Sequence, residues 1–216
     1  MIKAMIFDMD GVLSDTEKSR FLILKKILKK EGISLDESYS KKFIGLKLER
    51  IFSKYFKDKH LDVSRIRKEK DRIIQSHPEK YILGYPGTKE CLQRLSDDGL
   101  QLAVCSSSKK ESIHFALTSL GILGFFSLII SSDEVKEQKP SPEIYLLALR
   151  KLCLTPSECL VIEDSKIGIE AAHRAGIKCI GITSNFQKDE LKEADRVVSS
   201  LDEINTSLIR LFENTN

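Results

Sequence analysis

Two carboxylates, Asp8 and Asp10, stand at spacing i and i+2 in Phe7-Asp8-Met9-Asp10-Gly11-Val12, directly after the apolar run Ala4 to Phe7. The run reads as a buried strand. Strand side chains alternate between faces, so both acids leave on the same side, and Gly11 releases the backbone into a turn. Adjacent carboxylates repel unless a cation or a shared proton relieves them. The pair therefore suggests a nucleophile and a general acid/base beside Mg2+, and by itself reads equally well as a capping Asp with a solvated neighbour.

Three further segments carry chemistry at the carboxyl ends of expected strands, where open α/β sheets bind ligands. Val104-Cys105-Ser106-Ser107-Ser108 ends one strand and opens a helix. The Ser106 hydroxyl and the following amides, that of Ser107 first, could hold an anion against the helix N-terminus, or could simply cap it. Lys139 precedes Pro140-Ser141-Pro142, a rigid turn that can aim an ammonium into the crevice or leave it on the surface. Glu163-Asp164-Ser165 follows the apolar run Leu160 to Ile162; in isolation its acids read as ordinary helix-start residues. Taken together, the carboxylates Asp8, Asp10, Glu163 and Asp164 converge on one rim with Lys139 as the fixed cation. A hard divalent ion held by oxygen ligands would relieve that repulsion, and metal plus anion cradle means phosphoryl transfer.

The elements that must position these residues follow from hydrophobic periodicity. Short apolar strands are expected at Leu100 to Cys105, Leu128 to Ile130, Leu160 to Ile162 and Lys178 to Ile182. They alternate with helices near Lys109 to Leu120, Pro142 to Leu152 and Lys166 to Ala175. Ser108 with Glu111 reads as a capping box, Ser141 before Pro142 as a helix start, and Gly176 as a helix stop. The alternation implies a Rossmann-like α/β core, a parallel sheet with helices on both faces. It is interrupted after the first strand by a Lys- and Glu-rich helical stretch. The expected organisation is a core of residues 1–15 and 83–216 with an inserted helical cap of residues 16–82, hinged near Ser14 to Glu17 and Ile82 to Pro86.

Composition bounds the rest. The 216 residues carry a net charge of only +3, and basic pairs such as Lys25-Lys26 lie at helical spacing among apolar residues. They read as the solvated face of a helix, so no nucleic-acid partner is implied. Cys91, Cys105, Cys153, Cys159 and Cys179 form no CxxC pair, which fits reduced thiols in a cytosol better than a zinc site or a disulfide framework. No apolar run approaches the roughly 20 residues of a membrane span, and no leader pattern opens the chain, so a cytoplasmic protein with no membrane partner is expected. His60, His77, His114 and His173 fall outside every motif.

With these motifs in order, the chain resembles the haloacid dehalogenase superfamily, in the subgroup with a small helical cap that includes phosphoglycolate-phosphatase-like enzymes and β-phosphoglucomutase. The resemblance rests on Asp8-Met9-Asp10-Gly11-Val12, Ser106, Lys139 in Lys139-Pro140-Ser141-Pro142, and Glu163-Asp164-Ser165-Lys166-Ile167-Gly168. It implies that Asp8 is the nucleophile forming an aspartyl-phosphate and that Asp10 protonates the leaving group and then activates the acceptor. It also implies Mg2+ held by Asp8, Asp164 and the Asp10 carbonyl, with Glu163 at the metal site and Ser106 and Lys139 holding the phosphoryl group. Dehalogenases lack the second acid, so Asp10 argues for phosphatase chemistry on a small phosphorylated metabolite, with a sugar-phosphate mutase as the alternative and a non-catalytic binding module as the alternative from another class. Specificity is expected in the cap, where Lys18, Arg20, Gly45, Lys47 and Arg50 could form a basic pocket. Leu48 stands where the mutase relatives carry an arginine for the distal phosphate, and Arg20 where they carry a histidine.

Overall fold

The structure is a computed structural model that describes residues 1–213 except Gly45 and Lys47, with the side chain of Lys41 also left undescribed. The chain separates into two compact units, one of Met1–Ser14 with Gly84–Asn216 and one of Asp15–Leu83.

The larger unit is built on a six-stranded sheet with strand order β3-β2-β1-β4-β5-β6. Its strands are β1 (Ala4–Phe7), β2 (Gln101–Cys105), β3 (Leu128–Ile130), β4 (Cys159–Glu163), β5 (Lys178–Ile182) and β6 (Arg196–Val198), and every pairing is parallel. The continuous apolar runs of β1 and of Cys159 to Ile162 in β4 have a direct cause: all residues of both strands are buried, as strands covered on both faces must be. In register, Phe7 lies beside Val104 of β2 and Ile162 of β4, so Asp8 leaves the sheet level with Cys105 and Glu163. The chain runs outward from β1 to β2 and β3, then returns to the other side of β1 for β4. This switch point opens a crevice at the carboxyl edge.

Ala4, Ile6, Ala103, Cys105, Cys159, Val161 and Cys179 pack on α8 (Glu143–Leu152) and α9 (Lys166–Arg174) through Ile144, Tyr145, Ala148, Ile169 and Ala172. The unit also contains α6 (Thr88–Asp97), which contacts β2, as well as α7 (Lys110–Ser119) and α10 (Thr206–Glu213). Two elements escaped the periodicity reading. β6 is three residues long and begins on an exposed Arg196, and α10 lies past the last strand expected from sequence.

The expected Ser108/Glu111 capping box does not form. α7 begins at Lys110 with no side-chain cap on Lys109; the Lys110 amide instead donates to Asp133 Oδ2 at 3.0 Å, a carboxylate from a distant turn. At α8 the expected start is close, with Pro142 in the cap position and Ser141 Oγ accepting from the Glu143 amide at 3.4 Å.

The smaller unit is helical among its described residues: α1 (Thr16–Lys30), α2 (Ser38–Phe43), α3 (Leu48–Tyr55), α4 (Val63–Ser76) and α5 (Pro78–Tyr81). Its core joins Phe21, Ile23, Leu24, Ile27 and Leu28 of α1 to Phe43, Ile51, Phe52, Ile66 and Ile73. Phe43 is the hub, with the rings of Phe21, Tyr39, Tyr55 and Phe56 around it at centroid distances of 5.5 to 6.4 Å. Asp15 Oδ1 accepts from the Lys18 amide at 3.0 Å and starts α1.

Truncating Ile162, fully buried in β4, leaves a cavity that a close-packed sheet cannot collapse. Ile162→Ala is expected to cost about 2–5 kcal/mol, read as a lowered urea midpoint at unchanged slope. Leu211→Ala, at a side chain 55% exposed, should stay within about 0.5 kcal/mol of the parent.

Candidate active site

The carboxyl edge of the sheet gathers Asp8 from β1, Lys139 from the turn before α8, and Glu163 and Asp164 from the end of β4. The Asp8 amide donates to Ile162 O at 3.0 Å, which carries the β1–β4 ladder one residue past the strand and holds the nucleophile candidate in line. All four side chains are buried.

Lys139 is the hub. Its ammonium donates to Asp8 Oδ1 at 2.6 Å, Glu163 Oε1 at 2.7 Å and the Cys105 carbonyl at 3.0 Å, and it lies 5.0 Å from the centre of the Tyr145 ring. Three donors and one aromatic face account for the whole ammonium without water. Burial alone would push its pKa down, but the Asp8 and Glu163 carboxylates outweigh burial and hold Lys139 charged.

Glu163 is saturated on both oxygens. Oε1 accepts from Lys139 and from the Tyr145 hydroxyl at 2.9 Å, and Oε2 accepts from Ser165 Oγ at 3.0 Å and from the Asp164 and Ser165 amides at 3.2 and 3.4 Å. Ser165 Oγ in turn caps α9 through the Gly168 amide at 3.2 Å. A Cβ on Gly168 would lie 1.9 Å from the Glu163 carboxyl carbon, so a side chain there cannot coexist with this arrangement. Gly11, at φ +89°, has a similar reason: a Cβ would stand 1.9 Å from Asp164 Oδ2.

Asp8, Glu163 and Asp164 offer oxygen atoms that all lie within 4.8 Å of one another. Three acids against one lysine leave net negative charge in a buried place. Burial raises the Asp8 carboxyl well above the ordinary carboxylate range, Lys139 opposes that rise, and Glu163, Asp10 and Asp164 add to it. Asp164 is pushed up to about 7 by burial and by Glu163, with a hydrogen bond from Asn185 acting in the opposite direction. An all-oxygen, under-neutralised donor set suits a hard divalent cation such as Mg2+, so the residues present fit the ion the motifs imply.

Asp10 stands apart from the triad and is half-buried, its Oδ2 accepting from Ser108 Oγ at 2.8 Å. Ser106 is fully buried at the end of β2, where its Oγ accepts from the Ser108 amide at 3.1 Å, and Ser107 is exposed. α7 starts only at Lys110, so the serine loop stands ahead of the helix instead of forming its first turn.

The basic residues of the smaller unit divide differently. Arg20, one of the residues that could form a basic pocket, donates within its own unit to Leu46 O at 3.0 Å and Phe43 O at 2.6 Å and pairs with Glu17. Lys18 and Arg50 are exposed, Leu48 is buried in the helical core, and Gly45 and Lys47 lie outside the described residues.

Two contributors, Tyr145 and Asn185, carry no motif in the sequence, and a third, Ser108, carries a different expectation. Tyr145 sat in an apolar helical stripe, where it reads as core. Ser108 was assigned to a cap. Asn185 lies in a loop without a motif.

Fold and site together define a Rossmann-like α/β protein with a carboxylate-and-lysine centre at its switch point. A family model described as haloacid dehalogenase-like hydrolase matches residues 5–182, and the chain belongs to that family of enzymes. The phosphoglycolate phosphatase of Aquifex aeolicus is 34% identical over 184 residues, 82% of this chain and 83% of that one. A phosphorylated carbohydrates phosphatase of Thermotoga maritima is 31% identical over 185 residues, 83% of this chain and 84% of the relative. Among solved structures, a β-phosphoglucomutase from Clostridium difficile matches with a TM-score of 0.75 at 29% identity, over 99% of this chain and 98% of that one.

The raised Asp164 carboxyl has a thermodynamic sign. An unfolded aspartate titrates near ~3.9. Between that value and about 7 the folded protein holds a proton the unfolded chain has released, so this group's contribution to stability falls as pH rises through the window. Asp164→Asn has no such proton. In chelator, its melting temperature minus that of the parent should grow from pH 4 to pH 7 and level off above; a difference that stays flat or shrinks across that range contradicts the charge excess.

Proposed function

We propose that this protein is a Mg2+-dependent phosphatase that hydrolyses a small phosphorylated metabolite through an aspartyl-phosphate on Asp8. The observation that carries the reading is the Asp8 carboxylate itself: buried at a strand end, held through Oδ1 by Lys139, and accompanied two residues later by a second acid. The named activities of the Aquifex and Thermotoga relatives, both phosphatases, support it.

In the first half-reaction an Asp8 oxygen attacks phosphorus while the bond to the ester oxygen breaks, and Asp10 gives that oxygen its proton. In the second, water attacks the aspartyl-phosphate and Asp10 takes the water's proton; the Asp8 carboxylate is regenerated and inorganic phosphate leaves. Lys139 offsets the negative charge that Asp8 and the phosphoryl oxygens share, and Ser106 and Ser107 offer hydroxyl and amide donors to those oxygens. Glu163, saturated by its own neighbours, keeps Lys139 and the Asp164 backbone in place. Mg2+ held by the Asp8 and Asp164 side chains and the Asp10 carbonyl would supply positive charge against the transferred group.

Sugar-phosphate mutase activity is the second reading, favoured by the likeness to the Clostridium difficile enzyme. Against it, Leu48 occupies the position where such relatives hold a distal phosphate and is packed in the helical core, and Arg20 is bound to backbone carbonyls. A bisphosphate intermediate that must turn over in the site loses more from a missing phosphate grip than simple hydrolysis does.

Asp8→Asn keeps the side-chain volume and removes the nucleophilic charge, so it should stay folded and lose about 10³-fold or more in turnover. Turnover within about tenfold of the parent sinks the nucleophile assignment. In the parent enzyme, a chelator should abolish phosphate release from a panel of phosphate monoesters; Mg2+ should restore it, and Ca2+, with longer bonds and more ligands, should restore little. β-Glucose 1-phosphate supplied with catalytic glucose 1,6-bisphosphate should give negligible glucose 6-phosphate; rapid isomerisation without phosphate release favours the mutase.

A further inference from the structure

Asp164 is gripped on one oxygen only. Asn185 Nδ2 donates to its Oδ2 at 2.8 Å, and Oδ1 has no hydrogen bond among the described residues. Asn185 comes from the loop after β5, 21 residues further along the chain. The loop is fastened on both sides of it without its help. Before it, the Thr183 amide donates to Val198 O at 3.0 Å; after it, Phe186 packs against the sheet core and Gln187 starts a turn by a reciprocal cap with Glu190. The side chain of Asn185 is therefore presented to Asp164 by a loop that other contacts already hold in place.

Its chemistry also suits the place. A lysine or arginine would orient Asp164 equally well but would repel a divalent ion, and an aspartate would add to a charge excess the site already carries. A primary amide donates a hydrogen bond and leaves the net charge unchanged. Gly11 makes room for the same pair: a Cβ there would lie 1.9 Å from Asp164 Oδ2 and 2.7 Å from Asn185 Nδ2.

We propose that Asn185 is a positioning residue for the divalent-metal site: its amide occupies Oδ2 of Asp164, fixes the carboxylate plane, and leaves Oδ1 as the oxygen presented to the ion. The proposal rests on the metal requirement of the phosphatase reading and extends it to a residue outside every motif. Groups that orient a metal ligand in this way commonly set metal affinity by about 10- to 100-fold.

The test is calorimetric titration of the chelator-stripped full chain with Mg2+ alone, supported by Mn2+ binding followed by electron paramagnetic resonance. Asn185→Leu removes the donor and excludes water from its place, whereas Asn185→Ala admits a water that can donate instead. Mg2+ affinity is expected to fall about tenfold or more in Asn185→Leu and by less in Asn185→Ala, with metal-free melting temperatures close to the parent's. In turnover, the Mg2+ concentration for half-maximal rate should rise in parallel, and kcat at saturating Mg2+ should return to within about threefold of the parent. Mg2+ affinity within about twofold of the parent in Asn185→Leu overturns the proposal, whether the variant melts early or keeps a low kcat at saturating metal. Absence of Mg2+ binding by the parent overturns both this proposal and the metal requirement beneath it, whereas parent binding with an unaltered variant overturns this proposal alone.

Discussion

The larger unit is arranged around a surplus of negative charge buried at the carboxyl edge of a parallel sheet. Isolated carboxylates are expensive to remove from water, and one lysine cannot neutralise three of them. Lys139 binds Asp8 and Glu163 at once; burial raises the Asp8 and Asp164 carboxyls, and the surplus of neighbouring carboxylate charge adds to that rise. The same surplus that costs folding free energy makes the site suited to a hard cation. Removing Lys139 would leave the buried acids without their cation, a kind of loss that commonly costs about 3–5 kcal/mol.

Close packing around this charge is tight enough to dictate side-chain size. Gly168 and Gly11 leave room for the Glu163 and Asp164 carboxylates, and the whole Tyr145 side chain is buried beneath Lys139 with its hydroxyl on Glu163. The sheet supplies rigidity, since Asp8 extends the β1–β4 ladder and the Lys139 ammonium is tied to the last carbonyl of β2. Side chains aimed from strand ends lose little conformational freedom when substrate arrives, the condition for preorganised electrostatics.

The helical unit has a different logic. Its aromatic cluster around Phe43 gives it a core of its own, and Arg20 is bound within the unit to the Phe43 and Leu46 carbonyls. A guanidinium with several fixed donors suits two carbonyls at once.

Much of the sheet was legible in the residues themselves. A run such as Ala4 to Phe7 or Cys159 to Ile162 can only be buried on both faces, and acids placed directly after it must open at a strand end. The spacing of Asp8 and Asp10 and the stiff turn after Lys139 have the same local character. β6 was not legible, because its three residues begin on an exposed arginine and carry no apolar run, and the expected Ser108 cap of α7 is absent because Asp133, from a separate turn, accepts from the first helical amide. Ser108 is instead hydrogen-bonded to Asp10, 98 residues away in sequence, and Asn185 to Asp164 across a loop. Sequence by itself determined which groups are acids and which strand end each follows, since these follow from composition and period; that Lys139 is the cation buried among them was decided by packing. Which oxygen of each carboxylate is held, and by whom, was decided only by the tertiary structure. Hydrogen bonds act over about 3 Å, and proximity at that scale between distant segments is created by packing, which no local pattern records.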